Sequence, residues 1–273
     1  MRGGIEEAQE GGDEHVVFGT GQVVGLNEDL RQGLALAVQI LAVEILGQGL
    51  VAKTQDKPVL ACPLIDRDSN RRRPDSRTHA MRRSKLPIGI QTFRKIREGD
   101  HYYVDKTGFA LRLIDEGTHY FLSRPRRFGK SLFLDTLAEL FEGNAMLFQG
   151  LEAEQRWDWS RHYPVIRLSF GGGVIQDRAA LDRRILALLH NNQVALGVRC
   201  RDTTDIVSCF SELIEGAHAA TGDRVVVLVD EYDKPILDNL TDPATAKVMR
   251  DGLRNLYSVI KDSDAHIRFA FLT

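Results

Sequence analysis

The chain has 273 residues, 43% hydrophobic and 27% charged, enough for one large domain or two ordinary ones with a real core. A formal net charge of -2 gives no global attraction to nucleic acid or to an anionic membrane, so such contacts would need a local basic patch. Cys62, Cys200 and Cys209 are too few and too scattered for a disulfide framework or a metal knuckle, which points to three small buried residues and a reduced, cytoplasmic setting.

No secretory signal opens the sequence: Arg2 is followed by acidic and glycine-rich residues instead of an apolar run. Residues 33–52 are apolar but interrupted by Gln39, Glu44 and Gln48. A charge at the centre of a span costs about 2.5–3.5 kcal/mol on insertion scales. No membrane span is expected, and the protein is read as soluble. The run from Asp66 to Asp75, with Arg71, Arg72 and Arg73, has the composition of a solvated linker. Residues 1–84 are therefore expected to be a poorly structured extension, with Met81 as an alternative start, because the pattern changes abruptly at Lys85.

From there the sequence becomes locally consistent. Leu86-Pro87-Ile88-Gly89-Ile90 is extended, and Thr92 to Glu98 forms a turn of helix or a short strand. Thr107 is placed to cap a helix over 108–116, which Gly117 ends, and a short strand follows at 120–122. An apolar helix runs from Lys130 to Phe141 and closes at Gly143-Asn144. The spacing then predicts a strand over 164–170 broken by Gly171-Gly172-Gly173. Helices follow over 176–192 and 204–221, a strand over 225–231, a helix over 244–261 and a strand over 267–273. Strands alternating with helices imply a doubly wound, mostly parallel α/β sheet.

One junction carries chemistry. Residues 124–131, Arg124-Pro125-Arg126-Arg127-Phe128-Gly129-Lys130-Ser131, follow the phosphate-cradling pattern G-x-x-x-x-G-K-[ST] except at the first position. Such a loop aims backbone N–H groups and a helix dipole at one anion. Gly129 lets the backbone approach the phosphates, Lys130 supplies a point charge, and the Ser131 hydroxyl suits Mg²⁺. Arg126, Arg127, Phe128 and Leu132 complete the cradle. Pro125 biases Arg124 toward extended backbone, so the first position does not require glycine's positive φ.

The run Val225-Val226-Val227-Leu228-Val229-Asp230-Glu231 supplies the second half. Its apolar part reads as a central strand, which sets two carboxylates at the edge where open α/β sheets bind ligands. Asp230 would hold Mg²⁺ opposite Ser131, and Glu231 would act as general base toward a water. Thr273, ending the last strand, is placed to hydrogen-bond that water or the γ-phosphate. Arg126 and Arg127 would touch phosphate or a neighbouring subunit's nucleotide in a homo-oligomer, or lie on a solvated face. Asp233 and Lys234 line the site or form a surface pair, and His101 and His119 satisfy local hydrogen bonds.

These residues resemble the AAA-ATPase-like proteins of bacteria and archaea that typically carry a PD-(D/E)xK nuclease-like domain after the ATPase. The resemblance covers about 86–273. It rests on Leu86-Pro87-Ile88-Gly89-Ile90, Tyr103-Val104-Asp105-Lys106-Thr107, the phosphate loop with its Arg-Pro-Arg-Arg-Phe-Gly-Lys-Ser, and Val229 through Ile236. It implies a P-loop NTPase-like three-layer αβα fold with ATP and Mg²⁺ bound by Lys130, Ser131 and Asp230, and with Asp230 and Glu231 as the acidic pair. It also implies that Thr273 opens a Thr-Gly motif, with a last strand, a lid and the nuclease-like domain beyond it, so that a truncated domain is expected. The functional expectation is an Mg²⁺-dependent ATP-binding module and ATP hydrolase. The alternatives are a non-catalytic nucleotide-sensing module that engages nucleic acid or a protein partner, and a small-molecule kinase.

Overall fold

A computed structural model describes residues 84–124 and 127–273. The extension expected over 1–83, the alternative start at Met81, and Pro125 and Arg126 of the phosphate loop lie outside the described residues.

Five apolar residues in succession require burial on both faces of a strand, and β3 (Val225–Asp230) is enclosed in that way. Val225, Val227 and Val229 face one apolar cluster, while Val226 and Leu228 face another. β3 pairs in parallel with β2 (Val165–Ser169) on one side and with β4 (Ile267–Leu272) on the other. β4 in turn pairs in parallel with β1 (His119–Phe121), giving the order β1-β4-β3-β2. The expected parallel α/β sheet is therefore observed, and among the described residues its four strands are all parallel. Register aligns the carboxyl ends: Phe121 and Val229 both stand opposite Leu272, and Ser169 stands opposite Asp230.

The helices form two outer layers. α1 (Phe93–Glu98), α2 (Thr107–Glu116) and α3 (Lys130–Phe141) bury Phe93, Leu113, Leu137 and Phe141 against one sheet face. A short α4 (Ala153–Arg156) packs at the rim of that layer. On the opposite face, α5 (Arg178–Leu196) and α6 (Ile206–Thr221) contribute Leu181, Ile185, Phe210 and Leu213. α7 (Lys234–Leu237) and α8 (Pro243–Asp262) add Ile236, Leu253, Leu256 and Tyr257 to the same cluster. Among the described residues no helix is long and apolar enough to cross a membrane.

Helix starts fall one or two residues from expectation because aspartates cap them. Asp177 accepts the Ala180 N–H at 2.7 Å, Asp205 accepts the Ser208 N–H at 2.9 Å, and Asp242 accepts the Ala244 N–H at 3.1 Å. The expected cap at Thr107 is corrected: Thr107 is the first residue of α2, and Asp105 accepts both its N–H (2.8 Å) and its hydroxyl proton (2.7 Å). Asp105 also accepts the Glu152 N–H at 2.8 Å, and Thr107 Oγ1 accepts the Ala153 N–H at 3.0 Å. The motif Tyr103-Val104-Asp105-Lys106-Thr107 thus clamps α2 to α4. The stretch 92–98 resolves as α1, whose first amide, on Phe93, donates to Asp135 Oδ2 on α3 at 2.7 Å.

Candidate functional site

The loop leaving β1 turns into α3 at Gly129, whose φ of 77° lies in the left-handed region where only glycine is free of strain. A Cβ there would meet nothing within 4 Å, so the requirement is backbone conformation and not space. The preceding turn places Arg127 at φ 70°, a costly conformation for a non-glycine residue. Lys130 Nζ donates to the Arg124 carbonyl at 2.8 Å and ties the two ends of the loop together. Arg127 and Phe128 are exposed, Lys130 and Ser131 half-buried at the first turn of α3.

The acidic pair divides in two directions. Asp230, half-buried at the end of β3, interacts with the Ser131 side chain across the sheet edge, yet its Oδ1 is buried without a hydrogen-bond partner. Burial pushes its carboxyl pKa up, Ser131 and the Lys130 charge pull it back, and the Glu231 charge pushes it further up. Glu231 sits at φ 53°, outside the strand, with its side chain exposed on the β2 side of β3. Its carboxylate rests beside Gly171, where a Cβ would come within 3.3 Å of Oε2. Positive φ is not diagnostic by itself, since Asp100 also adopts φ 53° in a turn, where aspartate is tolerated.

Thr273 sits between the two halves because β4 lies between β1 and β3. Its N–H donates to the Val229 carbonyl at 2.9 Å, and its own carbonyl accepts the Tyr232 N–H at 3.1 Å. The residue is buried, and its Oγ1 has no partner. Two orphaned polar oxygens, Asp230 Oδ1 and Thr273 Oγ1, therefore occur at the carboxyl edge beside the phosphate loop. Buried oxygens without partners are uncommon in folded proteins and mark a place that a water or an ion can fill. A Ser hydroxyl and an Asp carboxylate form an all-oxygen set, which suits Mg²⁺ and its preference for completing its shell with retained waters. Among the described residues no group of three or more His, Cys, Asp or Glu side chains could hold a metal by themselves.

The remaining expectations resolve as follows. Lys234 Nζ donates to the Gly173 carbonyl at 2.5 Å and to Asp238 Oδ2 at 2.6 Å. It thereby pins the glycine loop after β2 to α7. His119 shares a hydrogen bond with the Thr118 hydroxyl at 2.9 Å, but His101 Nδ1 is buried without a partner. Arg126 lies outside the described residues.

Sequence reasoning missed two features. A cavity of about 220 Å³ opens beside the loop, lined by Pro87, Tyr102, Val104, Lys106, Gly129 and Leu132 and mostly apolar. The aromatic pair Tyr102-Tyr103 was a visible signal, but nothing in the sequence sets it against Gly129. Gly171 and Gly172 were read only as strand breakers. They also leave room for the Glu231 carboxylate and for the Arg184 guanidinium, whose Nη2 donates to the Ser169 carbonyl at 2.9 Å.

No solved structure matches the chain. A curated relative, "Uncharacterized protein in vnfD 5'region" from Azotobacter chroococcum mcd 1, is 70% identical over 194 residues. That alignment covers 71% of this chain and 37% of the relative, so the chain spans little more than a third of that protein. The family model described as Predicted AAA-ATPase, AAA-ATPase-like, matches residues 87–273, which take in the phosphate loop, the Asp230-Glu231 pair and Thr273. With a parallel α/β sheet flanked by helices and a P-loop at its edge, the chain belongs to the AAA-ATPase-like family.

Proposed function

We propose that residues 85–273 form one ATPase-like unit that binds ATP with Mg²⁺ at the carboxyl edge of β1, β4 and β3, and hydrolyses it. The observation that carries this reading is the pair of orphaned buried oxygens on Asp230 and Thr273 beside Ser131 and Lys130.

In this reading the backbone amides of Arg127, Phe128 and Gly129, with the N-terminus of α3, bind the phosphate oxygens. Lys130 exchanges its bond to the Arg124 carbonyl for the β- and γ-phosphates. The apolar cavity at Gly129 and Leu132 accepts the base, with Tyr102 offering an aromatic edge or face. Ser131 and Asp230 hold the Mg²⁺, which when bound supplies charge neutralisation to the phosphate oxygens. Thr273 Oγ1 orients the attacking water by hydrogen bond. Glu231 takes the proton of that water after swinging from Gly171 toward β4, a change of χ angles on an exposed side chain. No observation favours the kinase or the nucleic-acid-binding alternative over this reading.

Calorimetric titration with ATP and Mg²⁺ tests it. A lysine–phosphate hydrogen bond contributes roughly 1.5–3 kcal/mol, so Lys130→Ala is expected to weaken ATP binding about 10- to 100-fold. Glu231→Gln is expected to retain affinity and lose phosphate release. Unchanged affinity in the lysine variant refutes the site. Unchanged turnover in the glutamine variant refutes the assignment of the base.

A further inference from the structure

Opposite the phosphate-loop layer, α5 and α6 are joined through residues 197–205, and this connection brings together two cysteines that look unrelated in sequence. Cys209 lies in the first turn of α6 and Cys200 in the connecting segment; both are buried, with relative exposures of 1% and 8%. Their sulfur atoms stand 2.7 Å apart, the Cys209 thiol donating to Cys200 Sγ. That separation is closer than two unbonded sulfur atoms ordinarily pack and about 0.65 Å beyond the ~2.05 Å of a disulfide.

Other contacts hold the pair in this register. The Cys200 thiol donates to the Cys209 carbonyl at 3.0 Å, and the Cys200 N–H donates to Gln193 Oε1 at 3.0 Å. Gln193, on α5, also donates from Nε2 to Cys209 Sγ at 3.4 Å. One buried glutamine therefore grips both cysteines. On the solvent side, Arg201 closes the segment by donating its N–H and its Nε to the two oxygens of Glu212, at 2.6 and 2.9 Å.

We propose that Cys200 and Cys209 are a redox modification site, a pre-aligned dithiol that a hydroperoxide converts to an intrachain disulfide. The more exposed Cys200, as thiolate, attacks a peroxide oxygen; the O–O bond breaks, Cys200 becomes a sulfenic acid and hydroxide leaves. Cys209 sulfur then attacks Cys200 sulfur, the S–O bond breaks and the S–S bond forms. The Cys209 proton leaves with the departing hydroxide as water. In sum, two thiols and one hydrogen peroxide give one disulfide and two waters, with the peroxide reduced by the two electrons that the sulfurs lose.

The surroundings set the rate. Burial pushes both thiols above their ordinary pKa, Cys209 to about 12, so thiolate is scarce and the first step is slow. Once Cys200 is oxidised, the second sulfur is already in contact. The product is therefore a disulfide and not a higher oxide of sulfur. The burial expected of these two residues is observed; their contact was not anticipated.

The test uses the full chain with Cys62→Ser, which removes the third thiol. After treatment with hydrogen peroxide, the chain is unfolded in excess alkylating reagent, and mass spectrometry is run with and without a prior dithiothreitol step. The expected result is a mass lower by two hydrogens, no alkylation, and full alkylation after dithiothreitol. Trypsin cuts after Arg199 and Arg201, so the product is expected as Cys200-Arg201 linked to peptide 202–224. Closing a ring of about ten residues is expected to raise the folding equilibrium constant about 100-fold on the loop-entropy model, read as a higher denaturant midpoint. Cys209→Ser is expected to leave Cys200 unlinked and overoxidised. Two alkylatable thiols after peroxide, or sulfinic acid in place of the linked peptide in the Cys62→Ser chain, would overturn the proposal even if the Cys209 variant does not fold.

Discussion

Asp230→Asn separates the cost of the site from its use. In the absence of ligand, the carboxylate is half-buried, its Oδ1 lacks a partner, and burial is the largest influence raising its pKa. Leaving a buried polar group unsatisfied costs about 1–3 kcal/mol, and more when it is charged. Partial solvent access screens the charge here, so removal of the charge in an isosteric side chain should stabilise the apo chain by about 1 kcal/mol. For a unit of 150–250 residues that corresponds to a rise in Tm of about 2–4 °C at neutral pH. The sign with pH follows from the raised pKa. The folded state holds the Asp230 proton more tightly than the unfolded chain, so the penalty is absent below the ordinary value of 3.8 and complete above the raised folded value. The advantage of the asparagine variant should thus shrink as pH falls through that window. Adding ATP with Mg²⁺ should reverse the ranking, because only the carboxylate can hold the ion and gain stability by linkage. Differential scanning calorimetry at several pH values, with and without ligand, reads both effects. An apo variant less stable than wild type at neutral pH, or one stabilised equally by Mg²⁺ and ATP, would refute the reasoning.

Three other substitutions probe neighbouring features. Gly171→Ala puts a methyl group 3.3 Å from Glu231 Oε2 and displaces that carboxylate by a few tenths of an ångström. Because Glu231 leaves that place to act as base, crowding it should leave ATP affinity unchanged and should not lower phosphate release; a fall of about tenfold would mean that the base acts from beside Gly171. Thr107→Val leaves the buried Ala153 N–H without its acceptor and should cost about 1–3 kcal/mol in urea unfolding, with nucleotide affinity retained. Tyr232→Phe removes a buried hydroxyl with no partner and should stabilise the chain by about 1 kcal/mol; clear destabilisation would reveal a partner for that hydroxyl.

Much of the sheet and half of the site were legible in the sequence, for different reasons. β3 announces itself because a strand buried on both faces must be apolar at every position from Val225 to Val229. The Gly129-Lys130-Ser131 turn is legible because only glycine takes φ 77° there without strain. Strand order is not written locally. Thr273 lies between Phe121 and Asp230 because β4 pairs with both β1 and β3, a long-range choice that no local pattern encodes. The same limit hid the cavity, where Tyr102 and Val104 meet Gly129 and Leu132. It also hid the Cys200–Cys209 contact, which depends on how the chain turns between α5 and α6. Short α4 and α7 escaped because four residues show too little periodicity to distinguish helix from turn.

The position of β4 also determines how firmly the phosphate loop is anchored. Among the described residues β1 is a three-residue edge strand with a single neighbour, and its pairing of His119 with Ala270 joins segments far apart in the chain. β2 and β3, by contrast, pair over five residues and lie nearer in sequence. Closing the longer loop costs more entropy and is rewarded by fewer backbone bonds, so β1 should assemble last and open first. A nucleotide held at once by the loop after β1 and, through its ion, by Asp230 on β3 would tie the most weakly tethered strand to the most deeply buried one. Cohesion of the sheet would then rise and fall with nucleotide supply.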